Sequence, residues 1–110
     1  MFYYIFGNGV LVLSYVKGKS GKLDKDEYAT SKDQDWEVFD AGLACQTFCL
    51  AAHEKGVGTT IMGVIDDEKI SEIVSLPEDE TVAALIVYGH PDESPVKTPR
   101  MAVEELTRFI

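Results

Sequence analysis

The sequence predicts an α+β fold in one domain spanning residues 1–110: a central sheet flanked by helices, with an extended C-terminal arm. Three observations predict it. Asp35 to Gly63 (DWEVFDAGLACQTFCLAAHEKGVGTTIMG) reads as a long helix, a glycine turn and a short strand. Val10 to Val16 (VLVLSYV) and Thr81 to Tyr88 (TVAALIVY) are uninterrupted apolar runs of strand length. Pro91, Pro95 and Pro99 then forbid a regular element before Met101.

A chain of 110 residues can bury one modest core and leaves no room for a second domain. Its 45% hydrophobic content, with five Phe and five Tyr, places it among globular chains. The formal net charge of −9 argues against nucleic acid and anionic membranes as partners, because both need a basic surface to displace counterions. With two cysteines and neither a basic leader nor a small-residue cleavage site, the expected compartment is a reducing cytoplasm.

Taken in order, Met1 to Phe6 (MFYYIF) is strongly apolar, and Gly7-Asn8-Gly9 breaks it. Val10 to Val16 is β-branched and aromatic without a polar alternation, so it reads as a central strand buried on both faces. Lys17 to Asp35 is polar with early glycines, a surface connection of unusual length. From Ala41 to Ala52 only Gly42, Gln46 and Thr47 are not apolar, which predicts a helix buried on several sides. It is too short to cross a bilayer, which takes about 20 apolar residues. Gly56 and Gly58 stop it, and Ile61, Met62 and Gly63 leave as an extended segment. Asp66-Asp67-Glu68 opens a short second helix that Leu76-Pro77 closes, and Thr81 to Tyr88 is a second central strand ended by Gly89. Met101 to Ile110 reads either as a short amphipathic helix through Val103, Leu106 and Ile110 or as an arm that pairs with another subunit.

Candidate chemistry is sparse. Cys45, Cys49 and His53 stand at i, i+4 and i+8, a spacing that suggests a metal column. At about 1.5 Å rise per residue the outer two lie about 12 Å apart, and ligand distances of about 2.0 to 2.3 Å cannot span that. Core packing explains the cysteines, and no metal is expected. Gly56-Val57-Gly58-Thr59-Thr60 is glycine-rich but follows a helix, whereas phosphate-cradling loops follow a strand, so it reads as a helix stop. His53 and His90 are the two histidines, neither beside a nucleophile motif, so no catalytic side chain is assigned. Lys97 and Arg100, two cations between prolines in an acidic chain, are either a solvated arm or a phosphate clamp.

The series DAGLACQTFCLAAHEKGVGTTIMGVIDDEKISEIVSLPEDETVAALIVYGHP resembles the nitroreductase family of FMN-dependent oxidoreductases. The likeness lies in a DAG-opened helix with a central Gln, paired glycines after it, a strand ending in Gly, a short helix closed by LP, and a strand ending in GxP. It covers about Val10 to the end, best from Asp40 to Pro91. The resemblance implies an FMN cofactor whose ring edge lies along the backbone of Ile61, Met62 and Gly63, where an amide near the ring nitrogen stabilises reduced flavin. It also implies that Lys97 and Arg100 hold the FMN phosphate, that the DAG helix packs at the two-fold axis of a homodimer, and that the flavin lies between subunits. The implied activity is ping-pong transfer from NAD(P)H to a small acceptor such as a nitroaromatic or quinone. Nothing before Val10 matches the family's N-terminal basic motif, so the chain is expected to be the C-terminal portion of a longer protein or a reduced relative. The alternative function is a cofactor-free dimerisation or regulatory module built on the same buried helix.

Overall fold

The computed structural model describes residues 2–6, 9–24 and 26–110. Three of the expected elements fall where the sequence puts them. Strand β2 is Val10–Val16, helix α1 is Asp35–Glu54, and β6 is Glu80–Gly89. Gly56 takes φ +73 and ends α1, as a glycine after a helix can, and β5 follows as Gly58–Met62. Helix α2, Asp67–Ile73, is capped by the Asp66 side chain, which accepts from the Lys69 amide at 3.1 Å. The expected break at Gly7-Asn8 lies outside the described residues.

Three strands had no counterpart in the sequence reading. Phe2–Phe6 is a strand, β1, paired antiparallel with β2 from Phe2↔Ser14 to Phe6↔Val10. Within the long connection, β3 (Lys22–Asp24) and β4 (Glu27–Tyr28) form a small separate hairpin. The main sheet has the order β1-β2-β6-β5, antiparallel throughout, so the two apolar runs are its centre and β5 is an edge. A bulge interrupts the β2–β6 pairing, where Leu13 faces Ala84 but Ser14 faces Val82, leaving Ala83 as the extra residue. Past Pro91 the chain is irregular until α3, Val103–Leu106.

Helix α1 lies across β2, β5 and β6. Its Ala41 and Cys45 join Leu11, Leu13 and Ile86 in the core, with Phe48 and Cys49 packed beside them. Phe48 meets Tyr88 edge to face at 5.7 Å. The expectation that α1 is buried on several sides is corrected within this chain, because only one stripe is covered. Phe39, Leu43 and Leu50, on the other side, are each more than half exposed. The strand expectation is corrected in the same way for β6, whose pattern alternates buried with half-buried residues, so that one of its faces is incompletely covered.

The surface reflects this. A folded monomer of 12.2 kDa exposes about 6,100 Å², and this chain exposes 8854 Å². Its radius of gyration is 16.8 Å, against about 13 Å for a closed domain of this length. Helix α3 touches no other element among the described residues, and Val103, Leu106, Phe109 and Ile110 around it are exposed.

Candidate functional site

Strand β5 separates two depressions. Its Ile61 lines an apolar groove of about 280 Å³ with Val38, Gly42, Cys45 and Gln46 of α1 and with both alanines of the β6 bulge, Ala83 and Ala84. Small residues on three elements leave this space open. An added Cβ on Gly42 would meet no atom within 4 Å, and the bulge sets two alanines where larger side chains would fill the floor. Gln46 brings an amide to a wall that is otherwise apolar apart from the Cys45 thiol. Burial, and then the neighbouring Cys49, pushes the Cys45 thiol above its ordinary pKa, so it stays protonated and unreactive.

At the other end of β5 a larger cleft of about 780 Å³ lies between Gly56–Thr60 and the segment from Val87 into the arm, with His53, His90, Asp92 and Glu93 at its walls. The arm folds back here, and Pro91 Cβ would sit 3.5 Å from a Cβ on Gly58. Sequence reasoning missed this cleft. Its only signal was the glycine turn and the proline-rich arm, which nothing in their spacing brings together.

A third, polar depression of about 150 Å³ is lined by Tyr15, Lys19, Ser20, Glu37 and Asp40. Glu37, a buried carboxylate, accepts from the Gly18 amide at 2.5 Å, and Ser20 Oγ donates to Asp40 Oδ2 at 2.5 Å. The first two turns of α1 thus clamp the turn after β2, with both carboxylates hydrogen-bonded as their burial requires. Burial and then the charge of Glu37 raise the Tyr15 hydroxyl above its ordinary range.

The sequence-predicted site residues divide between two places. Ile61 and Met62 are the last residues of β5, both substantially exposed, and Gly63 follows with open space where a Cβ would stand. As an edge strand, β5 turns half of its backbone amides and carbonyls away from β6. Lys97 and Arg100 are exposed on the arm and line neither depression. The Arg100 guanidinium instead stays on its own segment, Nη1 donating to Thr98 Oγ1 and, at 3.3 Å, to the Pro99 carbonyl. The groove and the arm therefore do not form one continuous site within a single chain. Among the described residues no group of three His, Cys, Asp or Glu stands close enough to hold a metal, and no helix is long and apolar enough to cross a membrane.

A helix-covered antiparallel sheet with an apolar groove at its edge defines an α+β scaffold with open space between its elements. The chain belongs to the nitroreductase family, whose model matches residues 5–90. The match begins earlier than Val10 and stops short of Lys97 and Arg100. A curated NADPH-flavin oxidoreductase from Vibrio harveyi is 33% identical over 64 residues, covering 56% of this chain and 27% of the relative. Among solved structures, a nitroreductase family protein from Streptococcus pneumoniae aligns with TM-score 0.65 and 27% identity, over 73% of this chain and 41% of that one. The Vibrio harveyi NADPH:FMN oxidoreductase complexed with NAD+ shares the fold at TM-score 0.70 and 24% identity, over 90% of this chain and 44% of that one. The chain thus spans less than half the length of each of these relatives.

Proposed function

We propose that this single domain is part of an FMN-dependent NAD(P)H oxidoreductase that works as a homodimer, with the flavin ring in the groove beside Ile61. The observation that carries the reading is the meeting of Ile61 with Val38, Gly42 and Gln46 around a narrow apolar space. At about 280 Å³ it lies just under the usual range of about 300 to 1,000 Å³ for ligand pockets. It suits one part of a cofactor whose remainder is held by another copy. The arm suits that need, since Lys97 and Arg100 are exposed on a segment without regular structure.

When bound, FMN supplies the redox chemistry, accepting a hydride from NAD(P)H and passing electrons to a nitroaromatic, quinone or similar acceptor. The chain's own groups bind and orient. The backbone of Ile61, Met62 and Gly63 offers edge-strand amides to the polar rim of the ring, the apolar groove walls exclude water, and Lys97 and Arg100 neutralise the phosphate. No side chain is assigned a proton transfer. The free thiols Cys45 and Cys49 agree with a cytoplasmic setting.

The test is reconstitution. Purified protein is mixed with FMN, passed through gel filtration and scanned near 450 nm, with and without Ala83→Leu and Gly42→Leu, which fill the groove. Retained flavin that both substitutions remove supports the proposal. Protein that forms dimers and takes up no flavin at any concentration favours the cofactor-free dimerisation module instead.

A further inference from the structure

Helix α1 carries two thiols on its covered side. Cys45 belongs to the core cluster, and Cys49 packs against that cluster one helical turn further on. At that spacing the two Cβ atoms stand about 5 to 6 Å apart, whereas a disulfide needs about 3.5 to 4.5 Å. The pair cannot close directly without moving the backbone, and what fits it is a bridge through one further atom. The two thiols are hydrogen-bonded to each other. A linear bridge would hold its sulfurs farther apart than that, about 4.6 Å at about 2.3 Å per metal–sulfur bond, so the bridging atom has to be bent. Cys45 also lines the groove of about 280 Å³, where Val38, Ile61 and Ala83 make apolar walls and Gly42 leaves open space. A bent bridging atom with a third bond carries an apolar substituent into that space.

We propose that Cys45 and Cys49 form a binding site for a monosubstituted trivalent arsenical, with its organic group seated in the groove beside Ile61. Trivalent arsenic makes three bonds in a bent, pyramidal arrangement, and thiols are the soft ligands that suit it. Two arsenic–oxygen bonds break and two arsenic–sulfur bonds form. Each thiol proton leaves with a hydroxide as water, and arsenic keeps its oxidation state. Burial holds Cys45 protonated and inert as a lone nucleophile, but here the thiol delivers its own proton to the departing oxygen. The second arsenic–sulfur bond forms within one molecule, which favours the pair over a single thiol by about 10² to 10⁴. The inference is independent of the flavin proposal, and the two ligands exclude one another from the groove.

The experiment titrates phenylarsine oxide into the full chain and reads intact mass. One phenylarsenic group per chain, displacing two thiol hydrogens, is expected. Excess dithiothreitol should release it and excess glutathione should not, a distinction that only a two-sulfur bridge makes and that needs no variant. Cys45→Ala and Cys49→Ser should each weaken retention about a hundredfold or more, with circular dichroism showing that the helix is kept. Gly42→Leu retains both thiols but fills the groove, so it should slow capture of phenylarsine oxide while leaving that of arsenite, which has no organic group, unchanged. A wild-type chain that takes up no arsenical, or gives it up to glutathione, overturns the proposal, and so does undiminished retention in either single-cysteine variant. Equal capture of phenylarsine oxide by Gly42→Leu and wild type overturns the seating of the organic group in the groove.

Discussion

Ser14 Oγ donates a 2.6 Å hydrogen bond to Glu80 Oε2, tying the two central strands together across 66 residues of sequence. Both side chains are buried, Ser14 fully. The bond sits beside the bulge that turns Ala83 and Ala84 toward the groove, so it fixes the register on which the groove floor depends. A carboxylate in such a place is tolerated because it is hydrogen-bonded.

Removing the Ser14 hydroxyl deprives that buried carboxylate of a donor. Ser14→Ala is expected to destabilise the protein by about 1.5 to 3 kcal/mol, the range for losing a hydrogen bond to a charged group. Urea unfolding measures it. Thr47→Ala, which removes an exposed hydroxyl bonded to its own helix at Leu43, should cost well under half as much.

Gly9 makes a sharper demand on its side chain. Its φ is +103, and a Cβ there would stand 2.3 Å from the Tyr88 carbonyl oxygen, while Tyr88 N donates to Gly9 O at 2.7 Å. Gly9→Ala must therefore push β2 from β6 at the end where Tyr88 lines the cleft. The expected loss exceeds about 2 kcal/mol, backbone strain and clash together. A Gly9→Ala protein with the wild-type urea midpoint would show the close approach to be wrong.

The elements that were legible in the sequence are those whose cause is local. Gly56 with its positive φ ends α1, Asp66 caps α2, and the unbroken apolar runs place β2 and β6 at the centre of the sheet. The hairpin β3–β4 was not legible, because distant residues hold its surroundings. A Cβ on Gly21 would sit 2.5 Å from the Trp36 ring, Trp36 Nε1 donates to Thr30 Oγ1 at 2.7 Å, and Glu37 reaches back to Gly18. The bulge at Ala83 was hidden for the same reason, since an apolar run looks identical with or without it. Of the flavin-edge residues that the family resemblance implies, Ile61, Met62 and Gly63, Ile61 lines the groove. Its neighbours Val38, Gly42 and Gln46 were not, because only the crossing of α1 over β5 brings them there.

The half-buried Tyr15 hydroxyl and the buried Cys45 thiol are expected to make stability fall at alkaline pH. Tyr15 and Cys45 both have pKa values raised by burial, so the folded chain holds their protons more tightly than the unfolded chain does. Their contribution is fully present below the unfolded values, about 8.5 for Cys and about 10 for Tyr, and is lost as pH rises through the higher folded ones. Stability should therefore fall from about pH 8 upward. Thermal unfolding followed against pH should show this slope, with Tyr15→Phe and Cys45→Ala each flattening it. An unchanged alkaline slope in both variants would assign it to other groups.

The outer side of α1 offers the test of the proposed homodimer. Phe39, Leu43 and Leu50 recur at helical spacing on one stripe, all more than half exposed, with Gly42 adjoining them in open space. The chain exposes about 45% more surface than a closed monomer of its mass would, an excess larger than the roughly 800 Å² per partner that a standard interface buries. A second copy laid on this stripe would cover part of the excess, and in that case light scattering at low micromolar concentration should return twice 12.2 kDa. Because a two-fold interface repeats every substitution, Leu43→Glu removes two leucines worth about 1.5 to 3 kcal/mol each. It also sets two negative charges near the axis. Dimer association should then weaken by about 3 to 6 kcal/mol, two to four decades, leaving monomer at the same concentration. Since Leu43 contributes nothing to the core cluster of the single chain, its loss acts on assembly first. A wild-type chain that is already monomeric at low micromolar concentration would remove the homodimer from the proposed function.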